Sequence, residues 1–331
     1  MSYSHRSPTG SWLRLGLCCQ FAEQPIKFRT TTAMACSKLS RTARLQKLSE
    51  LCLQNAFALE QAIRWCAAHE IGAFRVLSQI WPLKTHPTCG YSLAELPAAQ
   101  ELVAQLEVCR RTAIELDVRL SFHPDQYVVL NSPRADVVAA SIAELEYQAE
   151  VAELIGADVI NIHGGGAYGD KVTALARFEE NLPQLSARVR ERLTLENDDK
   201  IFTPTDLMPI CLRQKIPLCY DVHHHRCLPD GLSIEAATTA ATETWQGREP
   251  LFHISSPLHG WGEPQPQLHH DYIDPADLPP AWLSLPITVD IEAKAKELAI
   301  LQLQEWLAEQ LLTAKTSTKA RRALAAAKRR S

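Results

Sequence analysis

Residues 119–163 read RLSFHPDQYVVLNSPRADVVAASIAELEYQAEVAELIGADVINIH, two short apolar runs separated by a longer helical stretch. The runs, Arg119–His123 and Val159–His163, have the length and apolar character of buried strands, and each ends in a histidine. Residues 134–155 between them carry the apolar spacing of an amphipathic helix. Because parallel strands need a crossover connection of about this length, the segment predicts a strand–helix–strand unit.

The same alternation recurs along the chain. The other predicted strands are Leu13–Cys18, Ala73–Leu77, Leu193–Glu196, Leu218–Val222, Leu251–Ser255 and Ile287–Ile291. The predicted helices cover residues 40–69, 93–117, 134–155, 171–191, 204–214, 232–245, 276–284 and 293–312. Eight strand–helix units in a chain of this length predict an α/β protein with a (β/α)8 TIM barrel, and an open doubly wound sheet is the competing layout.

We expect one domain with two short ends: a mobile N-terminal extension over residues 1–12, the barrel over 13–314 and a basic tail over 315–331. A composition of 46% hydrophobic and 22% charged residues is that of a globular protein and excludes collagenous or disordered classes. No segment reaches the ~20 apolar residues of a membrane helix. The ten cysteines contain no C-x-x-C pair and no compact framework, which suits a reduced cytoplasmic protein, and we expect a monomer.

Charge is distributed unevenly along the chain. The formal net charge is -4, and residues 315–331 contain seven Lys and Arg and no acid, so subtracting them leaves -11 on residues 1–314. The basic tail either solvates itself or contacts nucleic acid. An acidic body argues against DNA binding unless bound cations reverse the sign locally.

Histidine and carboxylate residues recur at the C-terminal ends of the predicted strands, the rim on which barrel enzymes build their sites. The nine candidates are His86, His123, His163, Glu196, Asp221, His224, His253, His269 and Glu292. Mixed imidazole and carboxylate ligands suit Mn, Zn or Fe, and nine ligands exceed the need of one ion, so we predict two or three divalent ions. Bridging carboxylates such as Glu196 and Asp221 would suit in-line displacement at phosphorus.

Other features have structural explanations of equal or greater weight. A single histidine is more often a hydrogen-bonded core residue than a ligand, which is how we interpret His5, His69 and His259. Of residues 223–225, three consecutive histidines, only His224 is retained as a ligand. The Gly-rich turn after residue 163 either approaches a phosphate, with Lys171 adding a charge, or is simply a tight turn. No P-loop or dinucleotide motif is present, so we expect no nucleotide cofactor.

These residues resemble the UV damage endonuclease family, metal-dependent TIM-barrel repair enzymes related to endonuclease IV and, in fold, to xylose isomerase. The resemblance covers roughly residues 13–300. Its most specific segments are FHPDQY (122–127), HGGGAYGDK (163–171), LENDD (195–199), DVHH (221–224), HISS (253–256) and IEAKAKE (291–297).

The resemblance implies incision of damaged double-stranded DNA immediately 5′ of a cyclobutane pyrimidine dimer or 6-4 photoproduct, with a divalent metal cluster that is commonly manganese. The family's ligands fall on the nine candidates already selected, with His270 as an alternative to His269. Glu196, Asp221 and Glu292 would anchor the ions for catalysis. Gln126 and Tyr127 match a pair that in this family wedges into the duplex at the lesion, a role that stacking and amide hydrogen bonding make physically reasonable.

The chain departs from the family at three positions. Leu251 stands where the family places a modifiable lysine, Leu17 where it has a tyrosine, and an asparagine near Phe21 is missing. Three other functions therefore remain as alternatives: an abasic-site endonuclease of the endonuclease IV type, a sugar isomerase or epimerase on the same barrel, and a lesion-binding protein without catalysis.

Overall fold

Eight parallel strands form the centre of the computed structural model, which describes residues 13–310. The strands are β1 (Arg14–Cys18), β2 (Ala73–Val76), β3 (Arg119–Phe122), β4 (Val159–His163), β5 (Leu193–Glu196), β6 (Leu218–Cys219), β7 (Leu251–Ile254) and β8 (Thr288–Ile291). They pair in the order β6-β5-β4-β3-β2-β1-β8-β7, which confirms the TIM-barrel prediction. Residues 1–12 and 311–331, including the basic tail, lie outside the described residues, so the expectations for both ends stay untested.

The barrel closes at a weak seam between β6 and β7. A single bridge pairs Asp221 with His253, and the His253 backbone N–H donates to the Tyr220 carbonyl at 3.0 Å. Strand β6 contributes only Leu218 and Cys219 to regular pairing. Two predicted metal ligands therefore sit on the contact that completes the barrel.

Helices cover the outside of the barrel. They are α1 (Ala33–Ser37), α2 (Arg41–Ala68), α3 (Ala99–Glu115), α4 (Ala135–Ile155), α5 (Lys171–Asn181), α6 (Ala187–Arg190), α7 (Pro204–Gln214), α8 (Val222–Cys227), α9 (Ile234–Thr244) and a last helix, α10, described over 297–310. None of them has the length and apolar character to cross a membrane, within the part of the chain that is described.

Proline accounts for three of the places where the predicted helices differ from the observed ones. Pro183 divides the predicted helix 171–191 into α5, a 3-10 turn and α6. Pro97 delays the start of α3 to Ala99. The predicted helix 276–284 is wrong, because Pro275 and Pro280 begin two short 3-10 turns there instead. A proline has no backbone N–H to continue an α-helical ladder, so each one ends or restarts a turn.

Strand alternation sends one set of side chains into the barrel and the other onto the helices. On β7, His253 belongs to the inner set, whereas Phe252 packs outward against Tyr220 and Trp282 with ring centroids 5.8 and 5.3 Å away. Parallel register also pairs His163 with Glu196 across β4 and β5. Inner side chains at one height on neighbouring strands therefore meet inside the barrel.

The loop after β1 is fastened to the start of α10 by one buried carboxylate. Glu297 accepts backbone N–H groups from Ala22 at 2.6 Å, Glu23 at 2.8 Å and Gln24 at 3.3 Å. Such charge-assisted bonds to backbone donors hold a loop in one conformation. The last residue of the 291–297 segment is thus structural, and it shapes the wall of the barrel mouth.

An ion-pair cluster stabilises the opposite end of the barrel, where the strands begin. Arg119 donates from Nε and Nη2 to the carboxylate of Asp158 at 3.0 and 2.9 Å. The indole of Trp245 lies beneath the guanidinium groups of Arg119 and Arg248, at 5.6 and 5.3 Å. Burial on its own would raise the pKa of Asp158, but the neighbouring Arg119 charge outweighs it and lowers that pKa.

Asp158→Asn is expected to destabilise the protein at neutral pH and to matter less in acid. A carboxyl whose folded-state pKa is depressed contributes stability above its unfolded pKa and loses it as the pH falls through the folded value. The Asp158 side chain is 46% exposed, so we expect a loss of only about 1 kcal/mol at pH 7. Comparing the urea unfolding midpoints of Asp158→Asn and the unsubstituted protein at pH 7 and below about pH 4 measures this loss of stability. Asp136→Asn, in an exposed pair, is the control, and a pH-independent difference would contradict the prediction.

Candidate metal centre

A cavity of about 480 Å³ opens at the C-terminal ends of the strands. Six of the nine predicted ligands line it: His123, His163, Glu196, His224, His269 and Glu292. Asp221 and His253 are completely buried next to them. The barrel therefore brings eight of the nine candidates to one site.

Glu196 occupies the middle of this site, and its side chain is fully buried. One carboxylate oxygen, Oε2, lies 3.0 Å from His123 Nε2 and 4.0 Å from His163 Nε2. The other, Oε1, lies 3.2 Å from His253 Nδ1 and 3.3 Å from His224 Nδ1. Four imidazoles from four different strand ends thus surround a single carboxylate.

Potential ligand atoms fall into four groups of three, each within 4.8 Å of one another. The groups are His123, His163 and Glu196; Glu196, Asp221 and His224; Glu196, Cys219 and His253; and His123, His253 and Glu292. Glu196 belongs to three of the four. A carboxylate shared in this way has the placement of a ligand that bridges neighbouring ions.

Several buried ligand atoms have no hydrogen-bond partner among the described residues. They are His123 Nδ1, His163 Nδ1, Glu196 Oε1, Asp221 Oδ2 and His253 Nδ1. A buried polar atom without a partner costs about 1–3 kcal/mol, so a cluster of them in one place is unfavourable unless something else binds there. Divalent cations fit, because the atoms are carboxylate oxygens and imidazole nitrogens.

The carboxylates remain charged in this buried setting. Burial would raise the pKa of Glu196, but the His253, His163 and His123 imidazoles outweigh it and hold that pKa well below the usual range. Against the effect of burial, Asp221 and Glu196 raise the pKa of His224 to about 10. A protonated His224 would supply the counter-charge that a bound cation would otherwise provide.

The orientation of His224 also suits a ligand. Its Nδ1 lies 3.0 Å from the Asn197 carbonyl, and its backbone N–H donates to Asp221 Oδ1 at 2.8 Å, where Asp221 caps α8. A metal-binding histidine usually donates its second ring N–H in this way, which fixes the tautomer. His225 instead contacts the Tyr220 hydroxyl at 2.7 Å and Asp230 at 2.9 Å, and is explained as a structural residue.

Three candidate histidines, His86, His269 and His270, lie outside the ring of imidazoles around Glu196. His86 belongs to none of the ligand groups in residues 13–310, and its Nδ1 accepts backbone N–H groups from Thr88 and Cys89 at 3.2 Å. His269 reaches the site, with Nδ1 3.9 Å from Glu292 Oε2. His270 Nδ1 accepts the Tyr272 N–H at 2.9 Å, so His269 is the better placed of the pair. As ligands, all three stay predictions.

Sequence reasoning missed a buried arginine beneath the ligands. Arg75 on β2 donates from Nε to Asp290 at 3.0 Å and from Nη2 to Glu292 Oε1 at 2.7 Å, and Nη2 lies 3.3 Å from His253 Nε2. Asp290 fits only because the residue opposite is Gly16, where a Cβ would lie 2.2 Å from its carboxylate oxygen. The sequence did contain a signal for Arg75: it is a charged residue at an inward-facing strand position. Charged residues are rarely buried without a partner, so this position predicts a buried ion pair.

Two further polar residues belong to the site but were not predicted. Asn161 donates a short hydrogen bond to Glu196 and accepts one from Thr194 at 2.8 Å. His223 is fully buried, its Nδ1 lies 3.1 Å from the Ser255 carbonyl, and its Nε2 has no partner within residues 13–310. Asn161 alternates with His163 on β4, so period-two spacing pointed to its inward position.

The residues proposed to contact DNA lie around the mouth. Gln126 lines the cavity, and the neighbouring Tyr127 is 67% exposed at the rim. Lys171 pairs with Asp206 at 2.8 Å and is absent from the cavity lining, whereas Lys200 lines it. Packing accounts for the Gly-rich turn, because a Cβ on Gly165 would lie 2.2 Å from Asn131 Oδ1.

The positions that depart from the family are apolar core residues here. Leu251 packs with Val159, Cys219 and Trp245 in a small buried cluster inside the barrel. Leu17 is fully buried in the main hydrophobic core, as Phe21 nearly is. Within the described residues, the barrel interior at position 251 thus holds apolar contacts.

Comparisons with known proteins agree with this geometry. Residues 13–320 match the model of the family described as UV-endonuclease UvdE. The UV DNA damage endonuclease of Bacillus thuringiensis subsp. konkukian (strain 97-27) is 34% identical over 286 residues, or 83% of this chain and 87% of that protein. The crystal structure of SacUVDE matches with a TM-score of 0.79 and 31% identity over 90% of this chain and 99% of that one. Endonuclease IV from Thermus thermophilus shares the fold, with a TM-score of 0.58 at 15% identity over 91% and 99% of the two chains.

Arg75→Met is expected to destabilise the metal-free protein strongly, by about 3 kcal/mol, because it leaves Asp290 and Glu292 buried without their cation. Arg75→Lys keeps the charge but cannot bond both carboxylates at once, so its loss should be smaller. Thermal unfolding in chelator measures both variants. Adding a divalent cation should bring the unfolding midpoint of Arg75→Met closer to that of the unsubstituted protein. If Arg75→Met has the same midpoint as the unsubstituted protein in chelator, the assigned role is contradicted.

Proposed function

Because the chain belongs to the UV-endonuclease UvdE family, we propose that it incises damaged double-stranded DNA immediately 5′ of cyclobutane pyrimidine dimers and 6-4 photoproducts. Membership of this family makes it a nuclease of UV-damage repair. The position of the cut, the metal cluster and the lesion range are the content of the proposal. From the sequence we also keep the expectation of a cytoplasmic monomer.

The observation that carries the proposal is the position of Glu196 in three overlapping groups of potential ligands at the C-terminal mouth of the barrel. A sugar isomerase or epimerase needs a small closed pocket around one substrate. This cavity is open at the top and has an exposed tyrosine at its rim. Both features support a large, flat substrate such as duplex DNA.

Two or three divalent ions, with Mn²⁺ as the main species, would supply positive charge for the phosphate and activate a water nucleophile. Glu196, Asp221 and Glu292 would anchor them. His123, His163, His224, His253 and His269 supply nitrogen ligands around these carboxylates, and His86 stays an outer candidate. Bulk water has little access to the centre of this ligand ring, because no side chain among His123, His163, Glu196 and His224 is more than 13% exposed.

Arg75 and Asn161 act on the candidate ligands. Arg75 holds one oxygen of Glu292 and leaves the other directed toward His269. Asn161 fixes Glu196 from the opposite side. Preorganised ligands of this kind lose little free energy to reorganisation when charge develops on the phosphate.

Lesion recognition is proposed for Gln126 and Tyr127. Tyr127 presents a stacking face outside the cavity, and Gln126 offers an amide that can satisfy a base edge left without its partner. Damage weakens pairing and stacking, so opening the duplex there costs less free energy than elsewhere. Lys200 at the cavity rim supports a phosphate contact, and Lys171 needs to leave Asp206 to make one.

Glu196→Gln is expected to reduce incision roughly 10²- to 10³-fold or more while the protein stays folded, because it removes the charge shared by three ligand groups. The measurement is cleavage of an end-labelled duplex that carries one cyclobutane dimer, with manganese and with chelator, beside undamaged and abasic duplexes. Exposed Glu191→Gln is the matched control. A cut confined to the abasic duplex would favour the endonuclease IV type of activity, and full activity of Glu196→Gln would refute the proposed centre.

Gln126→Ala combined with Tyr127→Ala is expected to lower the preference for damaged over undamaged duplex about ten-fold, since stacking on one aromatic side chain contributes about 1–3 kcal/mol per base. Metal content should stay the same, because neither residue belongs to a ligand group. Competition binding measures the preference. Tyr168→Ala removes another half-exposed tyrosine near the mouth and serves as control. An equal preference in the double variant would rule out the wedge.

A further inference from the structure

One cysteine lies directly among the ligands. Cys219 is fully buried on β6 and is the register partner of Glu196 on β5. Partners in a parallel ladder share a face of the sheet, so both side chains point into the barrel. All ten cysteines fall within the described residues, and Cys219 is the one that belongs to a group of potential ligand atoms there.

Two other buried groups point to the same place. Glu196, Cys219 and His253 each offer one ligand atom within 4.8 Å of the other two, and we call this group the floor subsite. Glu196 Oε1 and His253 Nδ1 lie 3.2 Å apart, both side chains are at most 1% exposed, and neither atom makes a well-formed hydrogen bond within residues 13–310. The thiol therefore adjoins a carboxylate oxygen and an imidazole nitrogen that are both shielded from solvent.

The other side of Cys219 is apolar. Val159, Trp245 and Leu251 pack around it, all at most 1% exposed. The sulfur therefore lies between the ligand ring and these apolar side chains. Cys109, in contrast, donates to the Ala56 carbonyl at 3.3 Å within the core and meets no ligand group.

We propose that the floor subsite, formed by Glu196, Cys219 and His253, is a mixed oxygen, sulfur and nitrogen site that takes a borderline-soft divalent ion, Zn²⁺, in preference to Mn²⁺. This inference rests on the proposed metal centre, with which it shares Glu196 and His253, but not on the DNA substrate. It makes the centre chemically heterogeneous, with one position selective for zinc and the remaining positions formed by nitrogen and oxygen alone.

The chemistry of the donors supports this selectivity. Thiolate ligands favour zinc, cobalt and cadmium, whereas manganese prefers oxygen ligands. On binding, the sulfur–metal bond forms as the thiol proton leaves to solvent, and the three protein ligands leave a fourth tetrahedral position open. Because Glu196 also belongs to two other ligand groups, an ion in the floor subsite would share that carboxylate with neighbouring ions.

The first test uses the whole purified protein after treatment with chelator. Titration with Co²⁺ is followed by absorbance, because thiolate bound to cobalt gives a near-ultraviolet charge-transfer band that oxygen and nitrogen ligands lack. We expect this band in the unsubstituted protein and in Cys211→Ala, a buried cysteine on α7 outside the ligand groups, and its loss in Cys219→Ala. If Cys219→Ala fails to fold, absence of the band in the unsubstituted protein would still overturn the floor subsite.

The second test measures selectivity. We expect Cys219→Ala to weaken Zn²⁺ binding roughly ten-fold or more and to change Mn²⁺ binding less than about two-fold. Cobalt binding without the band, or a band that persists in Cys219→Ala, would overturn the floor subsite and leave the proposed function intact. Failure of Co²⁺, Zn²⁺ and Mn²⁺ to bind at all would overturn both. A band in a protein that cuts no damaged duplex would support the floor subsite and count against the proposed function alone.

Discussion

An ionised carboxylate that is cut off from solvent is the constraint on which this structure depends. Glu196 has no exposed surface, and a charge in that position is tolerated only where hydrogen bonds and opposite charges surround it. Imidazoles from β3, β4, β7 and the segment after β6 supply that environment, and Asn161 adds an amide donor. The arrangement of the mouth of the barrel follows from this requirement.

The barrel meets the requirement through register. Parallel strands with period-two alternation put inner residues of neighbouring strands at one height, as His163 and Glu196 are. Closure between β6 and β7 relies on the bridge between Asp221 and His253, which are themselves candidate ligands. Cations at this seam would therefore join two strands that the backbone alone connects weakly. Metal binding by this pair would therefore also stabilise closure of the barrel.

Sequence patterns predicted the strands and pointed to candidate ligands at the strand ends, because both depend on local, periodic information. Leu193–Glu196 and Val159–His163 have the bounds expected for them. The helix expected over 276–284 is absent because its prolines outweigh the apolar spacing. Arg75 and Cys219 were missed for a different reason. The charge of Arg75 in a buried strand was a local signal that something pairs with it, but only the register of the closed barrel identifies the partners of Arg75 and Cys219.

The two glutamates of the site are held differently, and this divides their roles. Glu292 Oε1 is tied to Arg75 at 2.7 Å, so that oxygen is already neutralised by the protein. Its other oxygen faces His269 on the loop 256–270, which an antiparallel bridge between Pro257 and His269 holds over the mouth. Glu196 has no arginine partner in residues 13–310, and both its oxygens face imidazole nitrogens. Glu196 is therefore suited to bridge ions, and Glu292 to hold one ion from a single side.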